Sequence, residues 1–519
     1  MKRLPVFFVI SAAFLAPSIN AQTAAVMTDR AAARFLDQAA WGPTAASIAE
    51  LQQMGIAGWL SAQFALNTSD LPDQPLVASS GQANRNLAPV QAAFFQNAVT
   101  GQDQLRQRVA FALSEMWVVS AVSTKDAYAF PPYWRLFRDN AFGNYRDIMK
   151  ALTLSPAMGN YLNMANNNKG NAAQGTAANE NYARELMQLF TIGLTQLNSD
   201  GSAVVDSSGN PAPTYDQSVV TNTARALTGW TYPTAPHATA KNNNPAYYFG
   251  QMFAVEAEHD TTSKSIIGGA TVPAGQTAGQ DLDSVLDALM AQKTMAPFVS
   301  RQLIQHLVTS HPSPAYIQRV SGVFLDNGSG VRGDMKAVIT AILTDPEARA
   351  GDDSSAAPNP NFGHLREPVL FLANILRGLN ATLGASSAIY NNAANLGQEL
   401  FYPPTVFSYF SPLYTLENGD PAPEFQIYSA QTATNRADVV NTILYGALDK
   451  STAINLTPFE QSDVSSMVNY ISYVFLHHAM SSDLQQAAIG AAAAATGTKA
   501  QAQAALYAVL TSSEYQIAQ

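Results

Sequence analysis

Apolar residues recur at three- and four-residue spacing along most of this chain, and that period predicts helices. The pattern places them over residues 31–37, 45–54, 57–64, 103–119, 147–154, 182–192 and 218–227. It resumes at 281–291, 296–309, 315–324, 334–343 and 368–378, then at 435–448, 457–475, 481–495 and 501–511. Alternation of period two is scarce. Residues 196–215 predict one small β-hairpin, with Asp200-Gly201 and Ser208-Gly209-Asn210-Pro211 as turn signals. Loop-rich stretches at 163–179, 230–280 and 379–434 interrupt the helices; the first, with Asn166-Asn167-Asn168-Lys169-Gly170, reads as a mobile surface loop. The expected fold class is mainly α: a large multi-helix globular domain with long loops and a small β-hairpin. No linker divides the chain. Residues 26–480 read as one domain with Ala-rich helices of 481–519 packed on it, and two lobes meeting near residue 290 are the second arrangement.

A short pattern closes three helical runs: Leu152-Thr153-Leu154-Ser155-Pro156, Leu343-Thr344-Asp345-Pro346 and Leu510-Thr511-Ser512-Ser513. The Ser or Asp suits an N-cap and the Pro a first helical turn. We read the pattern as a recurring helix–turn–helix device, not as a catalytic motif.

Composition narrows the compartment and the chemistry. Lys2 and Arg3, the mostly apolar run 4–19 and the small residue Ala21 predict a secretion signal over residues 1–21. Its core is short for a membrane span, and no later segment is apolar enough for one. The chain has no Cys, which excludes a lipoprotein anchor, thiolate catalysis and Cys-ligated metal. Only 13% of residues are charged and the net charge is −10. An acidic chain without a Lys/Arg cluster argues against nucleic acid as a partner. Periplasmic or extracellular residence is the expectation.

The most informative stretch is Asn179-Glu180-Asn181-Tyr182-Ala183-Arg184-Glu185, running on to Gly193. Leu186, Leu189 and Phe190 share one face of the helix it predicts. Glu180 and Arg184 stand in the favourable order for an i,i+4 ion pair. Further segments accompany it: Asp103-Gln-Leu-Arg-Gln-Arg-Val-Ala-Phe-Ala-Leu113, Ser155-Pro-Ala-Met158, Tyr215, Ala224-Arg-Ala-Leu-Thr-Gly-Trp230 and His259-Asp260 with Lys264. Phe298-Val-Ser-Arg-Gln-Leu303, Leu365-Arg-Glu-Pro368 and Pro404-Thr-Val-Phe407 complete the set. Together, over roughly residues 30–430, these resemble the bacterial family catalogued as domain of unknown function 1800. That family commonly shows His where this chain has Ser155, so the resemblance carries no His-based role to that position.

Three constellations carry candidate chemistry. His259-Asp260 stands in a loop beside Glu256 and Glu258, where it could bind a divalent metal or act as a base. The alternative is a His near acids by chance. Glu180, Arg184 and Glu185 could line a cleft, or form an internal ion-pair network with Arg366 or Arg225 that fixes helix packing. Aromatic residues crowd 401–428, and Trp230 and Tyr232 begin a second group. They suit sugar rings, or they anchor Pro-rich loops on the core. The catalytic candidates are therefore Glu180, Arg184, Glu185, His259, Asp260, Lys264 and Arg366. Tyr215, Trp230, Tyr232 and Phe407 are candidates for substrate binding, and His259 and Asp260 for a divalent metal. Phosphate-loop, Gly-x-Ser-x-Gly and His-Glu-x-x-His motifs are missing from the sequence.

Two functions follow as expectations. One is a secreted enzyme that hydrolyses or modifies an envelope or extracellular polymer such as a polysaccharide, with a metal assisting. The other is a non-catalytic envelope, secretion-assembly or binding protein whose polar network is structural.

Overall fold

The first amphipathic run among the described residues buries all but three of its residues in helix α1, Asp29–Ala39, and the Thr28 hydroxyl caps its start. The computed structural model describes residues 27–353, 361–446 and 448–519. The secretion signal expected over residues 1–21 lies outside the described residues. Helix α2, Ala45–Ala65, is broken at Gly55, whose φ of 67° no helix accommodates. That break separates the two short helices expected at 45–54 and 57–64.

Helices α3 (Ala88–Thr100), α4 (Gln104–Met116), α5 (Phe130–Asn140), α6 (Tyr145–Thr153) and α7 (Pro156–Tyr161) follow. The sequence pattern did not predict α3 or α5. Helix α3 has an outward stripe, but that stripe begins with the apolar Pro89 and Ala93 and turns polar only at Gln96, Asn97 and Thr100, while Gln91 is buried, so the polar period is weak. Helix α5 begins with Pro131-Pro132, which reads as a breaker but is tolerated in a first turn. After α8 (Asn181–Gln188) and α9 (Gln217–Ala226) come α10 (Ala278–Met290), α11 (Met295–Leu307), α12 (Pro314–Leu325), α13 (Met335–Thr344) and α14 (Pro346–Arg349). The last group is α15 (Pro368–Gly378), α16 (Tyr390–Asn395), α17 (Ala430–Tyr445), α18 (Val464–Phe475), α19 (Ser482–Ala493), α20 (Thr498–Leu510) and α21 (Ser513–Gln516).

Of the three recurring caps, Asp345 and Ser512 accept the expected backbone hydrogen bonds, from Glu347 and Tyr515. Ser155 precedes its Pro but makes no such bond.

Among the described residues the strands are two-residue antiparallel pairs. One, His364–Leu365, pairs with Ile517–Ala518 and ties the last residues to the middle of the chain. The segment 194–214 forms two successive tight turns, at Gly201 and Gly209, joined by isolated bridges. Its third leg folds back onto the first, with the Gln196 amide donating to the Ala212 carbonyl. One expected hairpin is thus two.

A single hydrophobic cluster runs from Ala32 to Tyr515. Each fully buried Leu or Phe in it contributes about 1.5–3 kcal/mol. Gly193 has φ of 71°, and a Cβ there would meet the Phe298 ring at 2.9 Å, so α8 can turn onto α11 only through glycine. The 163–179 loop is tied at its base: the Asn167 amide bonds Asn179 through both its oxygen and its nitrogen. Among the described residues, no helix is long and apolar enough to cross a membrane.

Candidate functional site: a buried carboxyl and histidine pocket

Helix α4 buries all but two of its residues, and two charged ones, Arg108 and Glu115, lie seven residues apart on one face. Both are buried. Helix α11 brings His306 opposite them in its last turn. Glu367 occupies the N-cap position of α15, yet its carboxyl makes no capping bond and turns inward instead. Gln398 sets the geometry. Its Nε2 donates to Glu115 Oε1 at 2.9 Å and to Glu367 Oε2, while its Oε1 accepts from the Val369 amide at 2.8 Å.

His306 Nδ1 lies 3.3 Å from Glu115 Oε2. That oxygen has no hydrogen-bond partner, so the two atoms approach without the alignment of a hydrogen bond. Arg108 Nη2 donates to the His306 carbonyl, one of the acceptors a helix leaves open at its C-terminus, while Arg108 Nε and Nη1 have no partner. On the far wall Glu424 accepts from Ser310 Oγ at 2.8 Å, with His364 Nδ1 3.9 Å away.

Glu115, His306 and Glu424 line a narrow pocket, and Glu367 joins them through Gln398 without lining it. Its walls include Glu115, Glu424, His306, Gln302, Gln305 and Phe407, and it holds about 20 Å³, roughly one water molecule. Gln302 Nε2 and Gln305 Oε1 have no partner there. The covering loop carries two non-glycine residues at positive φ, Phe401 (68°) and Ser408 (67°), and such strain often marks functional segments.

Burial moves every titratable group toward its neutral form. It raises the Glu424 carboxyl to about 8 and Glu115 to about 7. Burial and then the neighbouring Glu115 raise Glu367 to about 8. Burial lowers His306 to about 4. Carboxyls that give up protons near neutrality beside a neutral imidazole can serve as acid and base at one site.

The residues singled out from sequence fall in other places. Glu180 and Arg184 form the expected ion pair at 3.0 Å. Glu180 also accepts from Thr221 Oγ1 (2.7 Å) and Gln217 Nε2 (2.8 Å), which clamps α8 to α9. Glu185 is half-buried, and burial raises its carboxyl. It lies near Tyr161 and Tyr215, and the buried Tyr215 hydroxyl has no partner. Neither Arg225 nor Arg366 reaches Glu185: Arg225 pairs with Asp260 at 2.8 Å and Arg366 with Asp37.

His259 is buried, with Nδ1 2.9 Å from the Thr228 carbonyl and Nε2 3.1 Å from Asp281 Oδ2. Lys264 Nζ donates to the same Asp281 oxygen at 2.7 Å. Asp260 accepts from Arg225 and from Thr262. His259 and Asp260 therefore face different partners, and the two His259 nitrogens are already occupied. The Glu256 carboxylate accepts from the Ala278 amide, while its backbone carbonyl takes the His259 N–H.

Arg366 donates to the carbonyls of Tyr515 and Ile517 and locks the C-terminal segment. Trp230 is buried with its Nε1 unpartnered, and Tyr232 donates to Asn160 Oδ1 at 3.0 Å. Of all these candidates, Phe407 alone lines the carboxyl–histidine pocket.

The pocket was nonetheless within reach of the sequence. Arg108, Gln302 and Glu367 lie inside the recognised motifs, and Glu115 and His306 lie two and three residues beyond them. A Glu or His inside an apolar helical run, in a chain this poor in charge, is the signal that marks them.

Fold and site define a mainly helical single-core protein with a buried acid–histidine pocket. The chain belongs to the family described as protein of unknown function, DUF1800, whose model matches residues 34–517 and so includes the C-terminal helices. No curated protein and no solved structure matches it.

Proposed function

We propose that the chain is an exported enzyme of hydrolase type, acting on an extracellular or envelope polymer of polysaccharide class at the Glu115–His306–Glu424 pocket. One observation carries this reading: a single pocket is walled by two buried carboxyls and an imidazole, all shifted toward their neutral forms. Glu424, protonated at neutral pH, donates to a leaving oxygen. Glu115, poised lower, takes a proton from water. The pocket is closed to anything larger than water, so a polymer enters only when the strained 401–428 loop moves, with Phe407 at the mouth to stack on a sugar ring. Export rests on Lys2, Arg3, the apolar run after them and Ala21.

The test is release of reducing ends from a panel of envelope polysaccharides by the mature protein. Glu424→Gln and Glu115→Gln should each lower turnover about 100-fold or more with the circular dichroism spectrum unchanged. Phe407→Ala should raise KM and spare kcat. Wild-type protein that cleaves nothing in the panel, or a Glu424→Gln variant as fast as wild type, would remove this reading.

A second reading has its own observation. An open cleft of about 810 Å³ is lined by amides, among them Asn163, Asn166, Asn168 and Gln174, with Lys169 and Glu258. Amide groups suit hydroxyl-rich ligands, and the cleft favours a non-catalytic polymer-binding protein. Binding on a glycan array that disappears in Asn168→Ala/Lys169→Ala, with no cleavage of the bound glycan, would select it.

A further inference from the structure

We propose that Glu115, His306 and Glu367 bind one divalent first-row transition-metal cation, such as Zn²⁺ or Mn²⁺, at the inner end of the pocket. This deepens the hydrolase reading, on whose site it rests.

The donor set comes first. One ligating atom from each of the three residues lies within 4.8 Å of the other two. Donors bound at about 2.1 Å from one tetrahedral ion stand about 3.4 Å apart, so Glu115 and His306, at 3.3 Å, already fit, and a swing of the Glu367 carboxyl of about 1.4 Å or less closes the site. Two carboxylates and one imidazole suit Zn²⁺, Mn²⁺ or Fe²⁺, whereas Ca²⁺ takes six to eight oxygens.

Orientation is the second observation. Glu115 Oε2 and His306 Nδ1 are 3.3 Å apart yet form no hydrogen bond, as expected when two lone pairs converge on a common point. The free space beside them holds a single water or ion. Gln302 and Gln305, each more than nine-tenths buried, present an unpartnered amide nitrogen and oxygen to that pocket. Water held on a cation would satisfy both.

Charge is the third. Glu115, Glu367 and Glu424 surround the one guanidinium of Arg108. Asp37 and Arg366 cancel each other nearby. With Glu424 protonated, the Glu115 and Glu367 carboxylates against one guanidinium leave one negative charge, which a divalent cation more than offsets. Gln398, which holds both ligating carboxyls, supplies the support that metal-binding side chains require. Glu424, held by Ser310, stays outside the ligand set and keeps its role as acid, whereas Glu115 as a ligand gives up the role of base to the cation, which lowers the pKa of a bound water.

The experiment uses the full mature protein, stripped with EDTA and then titrated with Zn²⁺ alone and with Mn²⁺ alone. Bound metal is counted by mass spectrometry and melting is followed in parallel. One equivalent of metal should bind the wild type and raise Tm by about 3 °C or more at a hundred times Kd. His306→Gln and Glu367→Gln should lose at least nine-tenths of the bound metal and the whole Tm response. Glu424→Gln should keep both, which separates loss of metal from loss of fold. Wild type that binds neither metal overturns the proposal, and so does an equivalent retained in both ligand variants. Turnover that persists in metal-free wild type and falls in Glu424→Gln would remove the cation and leave the hydrolase reading standing. A bound cation without polymer cleavage would do the reverse.

Discussion

His259 Nε2 lies 3.1 Å from Asp281 Oδ2, and neither side chain is exposed. Lys264 reaches the same oxygen from the other side. The pair bolts the 256–272 segment onto α10, and Gly229 leaves room for it: a Cβ there would meet His259 at 2.9 Å. Removing one partner strands a buried charge. Asp281→Ala should therefore cost about 3–5 kcal/mol, seen as a lower urea midpoint at an unchanged m-value. A loss under 1 kcal/mol would show that Lys264 finds another partner.

Glu424 makes stability fall with rising pH between about 4.5 and 8. Burial lifts its carboxyl from 4.5 to about 8, so the folded state holds the proton more tightly than the unfolded chain does. Its contribution is complete below about pH 4.5 and is lost as pH rises through 8. With EDTA present, Glu424→Gln should gain stability relative to wild type between pH 5 and 9, by about 2–4 kcal/mol. Parallel stability curves for the two proteins would contradict this.

Asp260 acts at the acidic end. Burial opposes its charge, but hydrogen bonds from Arg225 and Thr262 outweigh that and bring the carboxyl down from 3.8 to about 2. The stability it contributes is present above pH 3.8 and lost as pH falls through 2. Because the pair is partly solvated, the contribution is about 1 kcal/mol. Asp260→Asn should melt lower than wild type at pH 6, and the gap should close by pH 2.

Gly193 should tolerate no side chain. Gly193→Ala combines a positive φ with a Cβ 2.9 Å from the Phe298 ring, and should cost about 2–4 kcal/mol by urea unfolding. Phe298→Leu in the same chain should recover only part, because the backbone strain remains.

Most helices were legible because burying one face of a surface helix leaves a 3.6-residue period in the sequence. Helix α15 was expected over 368–378, where it lies, and the broken α2 showed as two short helices on either side of Gly55. Helices α3 and α5 escaped because the outward face of one starts with the apolar Pro89 and Ala93 and the other opens on two prolines. The Glu180–Arg184 pair was legible because it is local, one helical turn long.

The sequence alone thus determined a mainly helical, cysteine-free chain, most of its elements and the family to which it belongs. Only the tertiary structure decided which charged residues meet. Glu115, His306, Glu367 and Glu424 lie up to about 300 residues apart in the chain, and no periodicity records a contact between elements that far apart. It also separated residues that are neighbours in sequence. His259 and Asp260 turn to opposite partners, because adjacent side chains in extended backbone point to different sides and each settles on the buried charge or donor it can reach.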